Sequence, residues 1–277
     1  MPSLRSRVLT PLAVRVAQRA EPSVASARRR EFDPKVKGVT VTRESVAGVP
    51  VERYVPTAGT RRPGSHLFAH GGAFVAGSAQ NSRRWPALMA VELGMETVSV
   101  DYRLAPEHPF PAGPQDVASV VQELQPRVLS GESAGGCLAL SALQLVGFRP
   151  EALVLLCTAA DLTMSAESIR TNSGRDVLTL PVMTWARDTY LAGHPATDPV
   201  ASPLLADLSE LPPTLLQVGD RDMLLADSRR LADLLPHATL QVWPQMVHGF
   251  TGVPRLLPES RRALNDAVAW LVPVLDR

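Results

Sequence analysis

The run Val128-Leu129-Ser130-Gly131-Glu132-Ser133-Ala134-Gly135-Gly136-Cys137 sets a serine between two glycines at G-x-S-x-G spacing, behind a short apolar run and ahead of a helical one. This is the form of a nucleophile elbow: a strand enters, one residue turns sharply, a helix leaves, and the serine hydroxyl stands alone above a sheet. A side chain at Gly131 or Gly135 would collide with neighbouring backbone, which explains both glycines. An alcohol is a poor nucleophile at neutral pH, so Ser133 needs a base and a carboxylate to orient that base. Leu216-Gln217-Val218-Gly219-Asp220-Arg221-Asp222 places an acidic turn after one later strand, and Gln245-Met246-Val247-His248-Gly249-Phe250 places His248 in a loop after the next. Upstream, the glycine pair of His70-Gly71-Gly72-Ala73-Phe74 lets main chain approach a substrate carbonyl. The N–H groups of Gly71, Gly72 and Ala134 would then hold the oxyanion that acyl transfer creates.

Positioning these residues requires strands that end at one edge of a sheet. Runs at Val39 to Val46, Val51 to Val55, His66 to His70, Thr97 to Asp101, Arg127 to Ser130, Ala152 to Thr158, Thr214 to Val218 and Thr239 to Trp243 read as eight strands, the first two an antiparallel hairpin. Helical patterns near Trp85–Leu93, Gly113–Leu124, Ala134–Val146, Leu225–Leu234 and Pro258–Leu275 alternate with them. The alternation predicts an α/β fold, a mostly parallel eight-stranded sheet with helices on both faces. Residues 1–38 and 161–210 do not fit it. With an amphipathic helix over Pro181–Tyr190 in the second, they read as a small helical cap above the serine. The core would then comprise residues 39–160 and 211–277.

Composition narrows the function classes. Lys and Arg total 28 against 27 Asp and Glu, so a net charge of +1 offers no field for nucleic acid. Cys137 and Cys157 lie in apolar runs and read as small buried hydrophobes rather than a disulfide or metal ligands. The N-terminal segment carries Leu4, Val8, Leu9, Leu12, Val16 and Ala20 at helical spacing, but Arg15 and Arg19 interrupt any signal-peptide core. With no apolar stretch of about 18 residues, stable membrane insertion is not expected and a cytoplasmic location is.

The motifs His70-Gly71-Gly72-Ala73-Phe74, Asp101 through Ala112 (DYRLAPEHPFPA), Gly131-Glu132-Ser133-Ala134-Gly135-Gly136, Gly219-Asp220-Arg221-Asp222-Met223-Leu224 and His248-Gly249-Phe250 together resemble the hormone-sensitive-lipase-like family of α/β-hydrolase esterases. The resemblance runs from about Val51 to the C-terminus. Within the family, the stretch from Asp161 to Asp207 looks most like acetyl hydrolases and lactone hydrolases. The resemblance implies a Ser133, Asp222, His248 triad, its G-x-x-D-x-L spacing choosing Asp222 over Asp220, and an oxyanion hole from Gly71, Gly72 and Ala134. It makes His70 and Glu107 structural supports, with Asp101 and Tyr102 in similar roles, and it implies a homodimer paired through the last strand and helix. Asp116, Asp227 and Glu132 read as helix-terminal or surface carboxylates.

Three features depart from the family pattern. Ala73 replaces a third glycine and would narrow the alcohol side of the pocket, Glu132 stands where Asp is common, and the link into the nucleophile strand is trimmed to Gln125-Pro126. The expected chemistry is hydrolysis of short- to medium-acyl esters through an acyl-enzyme, without metal or organic cofactor. Ala73, Phe74, Met183, Trp185 and Met246 are the substrate-pocket candidates. An amide, N-acetyl or lactone hydrolase would use the same residues, whereas a non-catalytic ligand-binding fold would not need His248.

Overall fold

Short Val-, Leu- and Ala-rich runs bounded by Gly, Pro and Asp form the strands β1 (Val39–Val46), β2 (Val49–Pro56), β3 (Arg62–Ala69), β4 (Met95–Val100), β5 (Val128–Glu132), β6 (Ala152–Leu156), β7 (Thr214–Gly219) and β8 (Ala238–Trp243). The computed structural model describes residues 2–18, 23–28, 35–59 and 61–277. The strands make one sheet in the order β1-β2-β4-β3-β5-β6-β7-β8, antiparallel from β1 to β4 and parallel beyond. The β1–β2 hairpin turns at Ala47 and Gly48, both at positive φ (50° and 83°), the twist a two-residue hairpin demands. β6 and β7 are buried along their whole lengths, because helices cover both faces of a parallel sheet.

The helices are α1 (Leu4–Ala17), α2 (Val24–Arg28), α3 (Arg84–Leu93), α4 (Ala112–Leu124), α5 (Ala134–Val146), α6 (Glu167–Thr171), α7 (Leu180–Leu191), α8 (Leu225–Leu234) and α9 (Pro258–Leu275). Leu93, Leu264 and Leu271 of α3 and α9 bury one sheet face against Phe68, Val128 and Val154. Val117, Leu138 and Leu231 of α4, α5 and α8 bury the other against Leu67, Leu129 and Leu216. The trimmed link closes without a loop. Gln125 caps α4 in the left-handed conformation, and Arg127 donates to Glu151 and to the Leu275 carbonyl, tying the start of β5 to the end of α9.

Helices α1 and α2 fall in the first, and α6 and α7 in the second, of the two stretches outside the strand–helix alternation. On α7, Ala186, Tyr190 and Leu191 join the core, with the Tyr190 ring stacked on Phe74 at 3.9 Å. α1 is held differently. Its buried residues are Ser6 and Thr10, while Leu4, Val8, Leu12 and Val16 are each more than half exposed. Polar contacts hold its ends: Ser3 donates to Glu259 through its N–H (2.5 Å) and hydroxyl (3.0 Å), and the Gln18 amide donates to the Asp176 carbonyl (3.3 Å). Arg19 and Ala20, read from sequence as part of this helix, lie outside the described residues. Among the described residues no helix is long and apolar enough to cross a membrane.

Glu259→Ala is expected to free the start of α1, because the Ser3 and Ser6 contacts converge on that one carboxylate. Limited trypsin digestion should cut after Arg5, Arg7 or Arg15 several-fold faster than in the parent protein. Unchanged cutting would show that the helix is held by other means.

Candidate active site

The turn at Ser133 is enforced by crowding. Ser133 takes φ 56°, ψ −119° between β5 and α5, a conformation costly for any L-residue. A Cβ on Gly131 would overlap the Gly135 carbonyl, one on Gly135 the Ala69 and His70 carbonyls, and one on Gly136 the Thr158 side chain. The Ser133 N–H is bonded to the Leu156 carbonyl at 2.8 Å, which locks the turn to β6. The hydroxyl is left at the N-terminus of α5, where the helix dipole favours negative charge.

The loops after β7 and β8 deliver the other two groups. His248 Nε2 lies 2.9 Å from Ser133 Oγ, and its Nδ1 lies 3.1 and 3.2 Å from the two carboxylate oxygens of Asp222. Asp222 is fully buried and its Oδ1 also accepts the Leu224 N–H at 2.8 Å. Asp220 faces elsewhere, accepting the Gln245 N–H at 2.7 Å and closing the turn after β8. Burial works to lower the His248 pKa, but the Asp222 carboxylate outweighs it and holds the pKa well above its ordinary value.

Cys157, Asp222 and His248 offer three donor atoms within 4.8 Å of one another. Burial pushes the Cys157 thiol up to about 11, so it is a protonated neighbour of the histidine. The other two already bond each other, and the set is better suited to proton transfer than to metal ligation.

Asp176, in the segment before α7, carries no signal in the sequence. It is fully buried, and its Oδ1 accepts the N–H groups of His248 (2.8 Å) and Val177 (2.7 Å) while Oδ2 accepts that of Met223 (2.8 Å). One carboxylate therefore fixes the backbones on which both Asp222 and His248 depend. Burial, with the Asp222 charge, pushes its pKa up to about 6.

Three further carboxylates are not the surface groups the sequence allowed, although Asp227 keeps its helix-terminal place. Glu132 accepts the Thr251 hydroxyl at 2.9 Å, joining the elbow to the histidine loop. Asp227, though in the first turn of α8, is fully buried and accepts the Ala160 and Asp161 N–H groups at 3.0 and 3.1 Å. Asp116, inside α4, is buried against the Arg103 guanidinium at 2.7 Å.

The His70–Phe74 loop passes directly beside Ser133: a Cβ on Gly71 would lie 3.4 Å from the Ser133 Cβ. Among the described residues, no protein acceptor takes the N–H of Gly71 or Gly72. Ala134 opens α5, where an N–H has no intrahelical acceptor. Ala73 stands at φ 54°, so its methyl sits on a backbone turn that glycine would occupy more cheaply, by about 1–2 kcal/mol. The His70 ring bonds the Gly71 carbonyl at 2.8 Å and stacks on Tyr102, whose hydroxyl donates to the His70 carbonyl at 2.7 Å. Asp101 accepts the Ala79 N–H at 3.0 Å. Glu107 acts at one remove, pairing at 2.8 Å with Arg28, which also donates to the Val75 carbonyl just beyond the loop.

A cavity of about 60 Å³ adjoins Ser133 and Ala134 and is lined by Ala73, Phe74 and Met183 among others. Trp185 and Met246 line neither this cavity nor the groove beside His248. Trp185 packs against the main core, and Met246 is fully buried with Phe250, Leu257 and Ala263.

An α/β-hydrolase family model matches residues 66–252, a span that includes the His70–Phe74 loop, Ser133, Asp222 and His248. The chain is 35% identical to an acetyl-hydrolase of Streptomyces hygroscopicus over 74% of each chain. It is 32% identical to an esterase of Acinetobacter venetianus over 99% of this chain and 94% of that one. It superposes with a TM-score of 0.92 on a crystal structure of a hormone-sensitive lipase from a metagenome library, at 27% identity over 99% of this chain and all of the other. The chain belongs to the hormone-sensitive-lipase-like family of α/β-hydrolase esterases. In this member Asp176 links the segment before α7, and Glu132 links the turn at Ser133, to the loop that carries His248.

Asp222→Asn is expected to lower kcat by about 10⁴-fold through loss of the correct imidazole tautomer. Asp220→Asn should change it only a few-fold, since an amide oxygen still accepts the Gln245 N–H. The reverse ranking would move the orienting role to Asp220. Asp176→Asn turns an amide nitrogen toward an N–H donor, and urea denaturation should show a loss of about 1–3 kcal/mol. Undiminished stability would mean that the three N–H groups find other acceptors.

Proposed function

We propose that the protein is a serine carboxylesterase in which Ser133, His248 and Asp222 form the catalytic triad and Gly71, Gly72 and Ala134 the oxyanion hole. The observation that carries this reading is the unbroken contact from Ser133 Oγ to His248 Nε2 (2.9 Å) and from His248 Nδ1 to Asp222 (3.1 Å), beside the N–H groups of Gly71 and Gly72, which have no acceptor among the described residues. His248 removes the Ser133 proton as Oγ bonds to the ester carbonyl carbon, and the oxyanion settles on the three N–H groups. His248 then gives its proton to the departing alkoxide oxygen, leaving an acyl-serine and a free alcohol. Water, deprotonated by His248, attacks the acyl carbon, and the carboxylic acid leaves as Ser133 recovers its proton.

The substrate in this reading is a small ester. Balanced charge supports a neutral, freely diffusing molecule rather than nucleic acid, and a cytoplasmic setting suits two buried, unpaired thiols. The homodimer implied by the family resemblance finds support in β8, which ends the sheet with an unpaired edge beside α9.

Turnover of p-nitrophenyl acetate tests the assignment: Ser133→Ala should retain at most about 10⁻³ of the parent rate, and a parent protein with neither turnover nor a burst would overturn it. The pH profile tests the base. Its raised pKa keeps His248 protonated at low pH, so kcat/KM should rise with pH until the imidazole is neutral. Without the neighbouring carboxylate the pKa falls, so in Asp222→Asn the residual activity should begin its rise at lower pH.

A further inference from the structure

We propose that this enzyme selects short-acyl esters of bulky apolar alcohols, with the alcohol lying in the groove between α1 and the loop that follows His248. The inference rests on the ester-hydrolase reading above and adds the division of the substrate between two spaces of unequal size. The cavity at Ser133 and Ala134 measures about 60 Å³, whereas the groove lined by Leu9, Leu12, Val16, Val247, Phe250 and Leu256 measures about 580 Å³ and is bounded by His248 itself.

Chemistry decides which part of the ester enters which space. The carbonyl carbon must bond to Ser133 Oγ with its oxygen toward the N–H groups of Gly71, Gly72 and Ala134, so the acyl substituent is held on the Ser133 side. The leaving oxygen must lie within hydrogen-bond reach of His248 to receive a proton, so the alcohol carbon chain departs on the histidine side. The smaller space then receives the acyl group and the larger one the alcohol. Ala73 lines the smaller space, so its methyl narrows the acyl side in this arrangement rather than the alcohol side expected from sequence.

The state of α1 supports a ligand in the groove. Polar pins at Glu259 and the Asp176 carbonyl hold the helix, so its apolar residues are not needed to attach it. Leu4, Val8, Leu9, Leu12 and Val16, on this one helix, are five of the twelve large hydrophobic residues exposed among those described, and Leu256, across the groove, is a sixth. A helix that turns Ser6 and Thr10 inward and leucine and valine outward is arranged to offer apolar surface, and an alkyl or aryl alcohol entering beside His248 would cover part of it.

Two isomeric esters separate the parts of this proposal: octyl acetate puts the long chain on the alcohol side, and ethyl octanoate puts it on the acyl side. Both have the same formula, so bulk hydrophobicity does not distinguish them. The expected result is a kcat/KM for octyl acetate at least about tenfold above that for ethyl octanoate, measured by pH-stat below the solubility limit of each. Equal rates, or a preference for ethyl octanoate, would overturn the division. So would hydrolysis of p-nitrophenyl acetate with neither isomer accepted. Failure on all three esters would instead remove the esterase reading. Leu12→Asp, at a helix position more than half exposed, should lower the octyl acetate to ethyl acetate ratio of kcat/KM by about tenfold, and an unchanged ratio would place the alcohol outside the groove.

Discussion

The structure depends on one piece of crowding: α5 is packed so tightly against β3, β5 and the Thr158 side chain that three positions near its start have no room for a side chain. Because Gly135 lies against the Ala69 and His70 carbonyls, the end of β3 and the start of α5 share a fixed separation. The His70–Phe74 loop grows out of β3 and Ser133 stands at the end of β5, so their spacing is set by backbone contact rather than by mobile side chains. Strain at Ser133 is maintained by the same packing, with the bond from its N–H to Leu156 closing the remaining freedom. Catalytic geometry here is a consequence of how closely a helix can approach a sheet.

A second layer of order is electrostatic. Asp176, Asp222 and Glu132 all lie near His248; burial and the Asp222 charge raise the pKa of Asp176, and the Asp222 carboxylate raises that of the imidazole against the effect of its burial. The three carboxylates are not equivalent. The oxygens of Asp176 accept main-chain N–H groups and Glu132 accepts a threonine hydroxyl, whereas only Asp222 meets the imidazole edge. When His248 takes the serine proton, the positive charge formed is therefore oriented by one carboxylate and stabilised by the field of the others. Preorganisation of this kind needs no movement of charge at the moment of reaction.

The division between what the sequence reveals and what it hides follows from the range of each interaction. The eight strands and the elbow are legible because strand periodicity, turn residues and the glycines around Ser133 are local requirements. His248 and Asp222 follow from strand order. Asp176 acts through main-chain groups 47 and 72 residues away, and no local pattern marks a carboxylate that accepts distant N–H groups. Glu132 was misread because its reach to Thr251 exists only after the His248 loop has docked. On α7, Met183, Ala186 and Arg187 share one helical face and line the cavity at Ser133, while Trp185, off that face, is directed to the core. Met246 fails as a pocket residue for a similar reason: it lies beneath the loop, in a buried cluster with Phe250 and Leu257.

The cap separates two demands that a single apolar surface would confuse. α7 contributes Tyr190 and Leu191 to the core, so its position is coupled to the stability of the sheet and to the ring of Phe74. α1 contributes no large apolar residue to any buried cluster, and its exposed Leu12 and Val16 can change without opening a cavity. Polar anchoring is what makes this separation workable, since hydrogen bonds to Glu259 fix direction and register where apolar packing would have consumed the side chains that face the groove. The acyl side, built on the core, is thereby rigid and small, and the alcohol side, built on a pinned helix, is free to vary in shape without disturbing the triad.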